Sequence, residues 1–80
     1  MTTIKYPKLE FWLNTHKVVF QELKRRPDIP KPPKFLILAG WNLSRAIDKE
    51  MRWAEICRWA DENNLSHLMP QLNDSDYEYV

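Results

Sequence analysis

Glycine occurs once in the eighty residues, at Gly40. Loops that cradle phosphate need several glycines so that backbone amides can approach the ligand, and this scarcity excludes Walker-type and dinucleotide-binding motifs. Serine stands only at positions 44, 66 and 75, never inside a G-x-S-x-G run, which removes the hydrolase nucleophile elbow. Cys57 is the single cysteine. A disulfide framework is therefore excluded, and a lone thiol suits a reducing compartment and an apolar packing role. The longest run free of charged or polar side chains is "FLILAGW", Phe35 to Trp41. That is far short of the roughly 20 residues that span a bilayer. The opening "MTTIKYPKLEFW" has no continuous apolar stretch of the secretory kind. The expectation is a soluble cytoplasmic protein that makes no use of membranes. A chain this short gains only about 3–5 kcal/mol from one core, so self-association is the expected supplement.

Charge is balanced in total and uneven along the chain. Residues 1–34 hold eight Lys/Arg against three acids, whereas residues 35–80 hold four against eight. Opposite signs on the two halves suit mutual attraction within one fold or head-to-tail ordering of two copies, and a basic face also suits nucleic acid.

Pro7 and Pro27 bracket the first helical segment, expected over about 8–26. Leu9, Trp12, Leu13, Val19, Phe20 and Leu23, with His16 among them, fall within about 120° of arc, the width of a core-facing stripe. Phe11 and Val18 form a thin second stripe on the opposite side. "PDIPKPPK", Pro27 to Lys34, cannot continue a helix and reads as a stiff spacer in preference to an SH3-type ligand. The apolar stretch after it is expected to form a short buried helix over about 33–41, with prolines at its start and Gly40 near its end. A long helix follows over about 44–63, capped by Asn42 or Ser44 and ending at Asn63-Asn64. Its wheel places Leu43, Ala46, Ile47, Trp53, Ala54, Cys57 and Ala60 on the core side, with Ile56 at the edge. Leu65, Leu68, Met69 and Leu72 continue helical spacing, but Pro70 limits any helix there to a turn. The acidic tail "NDSDYEYV" is expected to be irregular and loosely held.

These readings predict a single mainly α domain spanning 1–80. It is a small bundle of two main antiparallel helices, the short buried segment and an irregular tail. The alternative is a small α+β fold with strands near 2–6, 34–40 and 76–80.

No constellation of catalytic residues stands out. His16 has Trp12 and Phe20 at the positions one turn away, where a second metal ligand would stand. A His16-Cys57 nucleophile pair lacks an orienting third group. Glu50 and Asp61 lie about 16 Å apart along the long helix, too far to work on one bond, and each is expected to meet a Lys or Arg of the basic half or to sit at the margin of the apolar face. No enzyme activity, cofactor or metal is expected. "MRWAEICRW", residues 51–59, is the puzzling stretch, because Trp53 and Trp59 stand about 120° apart on the wheel. Trp59 falls among Asp48, Arg52, Glu55 and Glu62, opposite the expected core. Tryptophan is enriched at interface hot spots, so Trp59, Arg52, Phe11 and Val18 are candidate partner-binding residues. The expected function is a small non-enzymatic protein-interaction or regulatory module acting by helix packing, with a protein partner or a second copy. The alternative is nucleic-acid binding through Lys24, Arg25, Arg26, Lys31 and Lys34, by phosphate contacts that fall steeply with salt.

Overall fold

The computed structural model describes residues 3–36 and 38–80. In chain order they form β1 (Lys5–Pro7), α1 (Leu9–Arg25), α2 (Leu38–Leu43), α3 (Ala46–Glu62), two single 3₁₀ turns (Ser66–Leu68 and Asp74–Asp76) and β2 (Tyr77–Tyr79). The protein is mainly α and small, as its sequence predicts. No helix among the described residues is long and apolar enough to cross a membrane.

The terminal strands of the alternative reading also exist. β1 and β2 pair antiparallel in the register Lys5↔Tyr79, Tyr6↔Glu78 and Pro7↔Tyr77. Ile4 and Val80 exchange backbone hydrogen bonds at 3.1 and 2.8 Å, and the Lys8 amide donates to the Asp76 carbonyl at 3.0 Å. The acidic tail is thus fastened at both ends, and the loosely held tail expected from its composition is corrected. A capping box at Asn73 and Asp76 turns the chain into β2. Among the described residues no strand forms near 34–40. Lys34, Phe35 and Leu36 carry no regular structure, Leu38–Leu43 are helical, and Ile37 lies outside the described residues. The Leu36 carbonyl accepts from the Trp12 indole N–H at 2.6 Å, and α2 starts at Leu38, later than its sequence suggests.

Helix ends follow local chemistry, with one correction. Lys8 precedes α1 and Arg26 closes it, with the Arg26 amide bonded to the Glu22 carbonyl. Asn64 adopts φ 58°, the left-handed conformation that asparagine tolerates, and the Leu65 amide reaches back to the Ala60 carbonyl at 2.7 Å, sealing α3. Neither Asn42 nor Ser44 caps α3. The Ser44 hydroxyl instead donates to the Gly40 carbonyl at 2.7 Å, closing α2, and Arg45 is the residue that enters α3.

The core has two adjoining parts. Val19, Ile29, Trp59, Ala60 and Leu65 form one; Tyr6, Trp12, Trp41 and Ile56 form the other; Phe35 and Met69 pack against both. Trp12 is the hub of the second. It stacks on Trp41 with ring centroids 4.5 Å apart and meets Phe35 at 5.0 Å and Trp53 at 6.3 Å.

The burial of α3 corrects the wheel. Its buried residues are Ile56, Trp59 and Ala60, while Ile47 and Ala54 of the expected core side are exposed and Leu43, the last residue of α2, is 87% exposed. The face is rotated by about 100°. Trp53 and Trp59 bracket one broad buried face, and Ile56, with no exposed surface, stands at the angle midway between them. The physical reason is area. Two indoles outweigh Ile47 and Met51 in the water they must shed, so the face that covers both wins. α1 turns similarly, burying Trp12, Thr15 and Val19 and leaving Leu13 and Phe20 exposed.

Candidate functional site

Two indole hydrogen bonds tie the proline connector to the helices. The Trp59 indole N–H donates to the Pro30 carbonyl at 3.2 Å. The Trp12 indole N–H donates to the Leu36 carbonyl at 2.6 Å. Just before the first tie Ile29 inserts into the first core part, and just before the second Phe35 packs against both parts. Prolines at 27, 30, 32 and 33 restrict the backbone torsions of the segment. A stiff strap bound near both ends makes a fixed wall.

That wall and the end of α1 enclose a groove of about 530 Å³, whose apolar lining is Phe20, Leu23, Pro27, Ile29, Pro32, Pro33 and Phe35. Its volume is within the range of about 300–1,000 Å³ usual for binding clefts. Lys24, Lys31 and Lys34 are its only charged lining residues. All three are exposed, and none takes part in an ion pair among the described residues. His16 packs beside the groove, its ring 4.6 Å from Phe20 and 4.9 Å from Phe35.

Two other hollows have a different character. One, of about 310 Å³, lies between Leu36, Ser44 and α3, and its Arg52 is paired with Glu55 at 3.4 Å. The other, of about 390 Å³, lies on the far side of the connector, where Lys31 and Arg58 share the lining with Glu55 and Glu62. Charges of both signs line each, so neither selects a charged partner.

The residues expected to bind a partner do not assemble into one surface. Trp59 is 7% exposed, a core residue covered by the connector and by Leu65, which corrects its expected place on an outer face. Arg52 is half-buried beside Glu55. Phe11 and Val18 are half-buried on α1 and belong to neither core part. Of the basic set, Lys24, Lys31 and Lys34 converge on the groove, whereas Arg25 pairs with Glu22 at 3.1 Å and Arg26, exposed, ends α1. The helical periodicity does not mark Phe20, Leu23, Ile29 and Phe35 as a common lining. The available signal is Phe20 and Leu23 in the last two turns of the α1 stripe, ahead of the proline-rich connector.

Neither Glu50 nor Asp61 forms an ion pair with the basic half among the described residues; the other expectation for them, a place at the margin of the face, agrees with a half-buried Glu50 and an exposed Asp61. All three ion pairs among the described residues are local, three residues apart. The Glu50 carboxylate accepts from the Lys5 backbone amide at 3.1 Å, and Asp61 accepts from the Ser66 hydroxyl at 3.4 Å. Each pair lies one helical turn apart, on α1, at the entry of α3 or within it, where residues three apart are surface neighbours.

For catalysis the geometry offers little. No group of three or more His, Cys, Asp or Glu converges as a metal site among the described residues. Burial pushes the half-buried Cys57 thiol up from its ordinary value, the direction opposite to nucleophile activation. The Tyr6 phenol is likewise raised, by burial first and then by the Glu78 carboxylate opposite it in the sheet.

No family model, curated protein or solved structure matches the chain.

Proposed function

We propose that the protein is a small, non-enzymatic interaction module that holds a segment of a partner protein in the groove between the end of α1 and the proline connector. The observation that carries this reading is the pre-set groove wall, tied by Trp59 to the Pro30 carbonyl and by Trp12 to the Leu36 carbonyl. A wall already ordered before binding loses little conformational entropy when a partner arrives, so apolar contacts convert more fully into affinity. Phe20 supports it, because a phenylalanine left 42% exposed at the mouth of an apolar groove is a suitable anchor. The test is affinity capture from native extract on wild-type protein and on Phe20→Ser. Proteins retained by the wild type and lost by the variant support the reading; equal recovery on both would sink it.

The nucleic-acid alternative draws on the three lysines at the rim. Against it, the lining is largely aliphatic and proline, and Phe20 already meets His16 and Phe35, which limits base stacking. A mobility-shift titration with single- and double-stranded oligonucleotides at low salt decides, since absence of any shift removes the alternative.

A further inference from the structure

Resting on the reading of the groove as a protein-binding site, we infer the chemistry of its occupant: an acidic amphipathic helix of a partner protein, apolar on the side that enters the groove and carboxylate-bearing along its flanks. Three features converge on this class. The lining is apolar, so the occupant must bring apolar side chains to displace water from Phe20, Leu23, Ile29 and Phe35. The rim carries Lys24, Lys31 and Lys34 with no carboxylate among the lining residues. None of the three lysines forms an ion pair among the described residues. Complementarity therefore favours an anionic flank and repels a basic one.

The wall itself selects the backbone conformation. Pro27, Pro32 and Pro33 line the groove and have no N–H to donate. Pro32 and Pro33 interrupt the row of N–H groups between Lys31 and Lys34, so a strand added along this wall would meet a broken ladder, whereas a helix satisfies its backbone internally and asks only for side-chain contacts. A proline-rich ligand would find aromatic rings here but gain nothing from the lysine rim. A nucleic acid would find the lysines but few flat faces on which to stack. An acidic amphipathic helix uses the lining, the rim and the donor-poor wall together.

The test is selection of a displayed library of random dodecapeptides on the full chain at low salt, followed by titration of synthetic copies of the enriched peptides. Enriched sequences are expected to hold Leu, Ile, Phe or Trp at spacings of three and four among Asp and Glu. Binding should weaken as salt rises. It should fall about tenfold or more when Lys24→Ala, Lys31→Ala and Lys34→Ala are combined, a change confined to exposed side chains whose pairs are individually weak. It should vanish when the peptide's apolar residues become serine. Circular dichroism confirms that the triple variant stays folded. Peptides without acidic bias that lose binding in Phe20→Ser but not in the lysine variant would overturn the acidic class and leave the groove reading standing. If no enriched peptide responds to Phe20→Ser, both fall. Displacement of the peptides by an oligonucleotide at lower concentration would overturn the inference in favour of nucleic acid.

Discussion

Trp59→Ala is expected to cost about 3–5 kcal/mol, the range for truncating a large buried aromatic side chain. The magnitude follows from its position: 7% exposed, packed with Val19, Ile29, Ala60 and Leu65, and hydrogen-bonded to the Pro30 carbonyl at 3.2 Å. A domain of this size holds only about 3–5 kcal/mol in all, so the alanine variant should be largely unfolded at 37 °C. Trp59→Phe separates the hydrogen bond from the packing. It keeps an aromatic ring but removes the indole donor, and should cost about 1–2 kcal/mol, the lower end because Pro30 is exposed and its carbonyl can turn to water. Urea titrations followed by circular dichroism measure both differences, and the phenylalanine variant should melt about 4–8 °C lower for each kcal/mol lost. The same variant should be cut faster by trypsin after Lys34, within the connector, because opening of the strap exposes that bond more often. If Trp59→Ala changed stability by less than about 0.5 kcal/mol, the residue would be behaving as an ordinary surface position. The strap would then not be fastened as described.

Further tests address other parts of the fold. Thr15 is fully buried and its hydroxyl oxygen has no hydrogen-bond partner among the described residues. Thr15→Val, which keeps the shape and removes the hydroxyl, should therefore stabilise the protein by about 1 kcal/mol in a urea titration; a loss would show that the hydroxyl is satisfied in solution. Ile56→Ala should cost about 2–5 kcal/mol while Ile47→Ser changes stability by less than about 0.5 kcal/mol, and the reverse order would restore the face that the helical wheel favours. Removing residues 77–80 takes away the Ile4–Val80 hydrogen bonds and β2, and should cost about 1–3 kcal/mol by thermal melting. Tyr6 titrates above its ordinary value in the folded protein, so the native state keeps its proton longer than the unfolded one. Stability from this group is therefore full below the unfolded pKa of about 10 and is lost as pH rises through the folded value. Tyr6→Phe should flatten that alkaline limb relative to wild type, and an unchanged limb would count against a buried phenol.

The extent of each long helix was legible because punctuation is local. Pro7, Pro27 and the Asn63-Asn64 pair act on their own turns of chain, and α1 and α3 end within a residue or two of where those residues point. The faces were not legible, because a helical wheel treats every apolar side chain alike and assumes that a single flat partner covers it. In α3 the partner is composite: the connector and Leu65 cover Trp59, while Trp12, Trp41 and Tyr6 share a core part with Ile56. The spacing of Trp53, Ile56, Trp59 and Ala60 holds the correct face. It becomes visible only when side chains are weighted by the area they hide. The groove could not be read for a related reason. Its lysines are close in sequence, but its lining joins Phe20 of α1 to Phe35 across the prolines, and the curvature of that crossing is set by indole bonds to carbonyls 29 and 24 residues distant. Sequence periodicity contains no trace of such bonds. The paired termini were legible only as the second choice, since three-residue strands carry too few alternations to separate them from loop.

Hydrogen exchange of the indole N–H groups, resolved by nitrogen-edited NMR of the wild-type protein, tests the fastened strap most directly. The Trp12 and Trp59 indole protons, bonded to the Leu36 and Pro30 carbonyls, should exchange only through opening of the fold, well behind that of the half-buried Trp53. Exchange of the Trp59 proton as fast as that of Trp53 would contradict a connector tied across the helices, and with it the rigid groove.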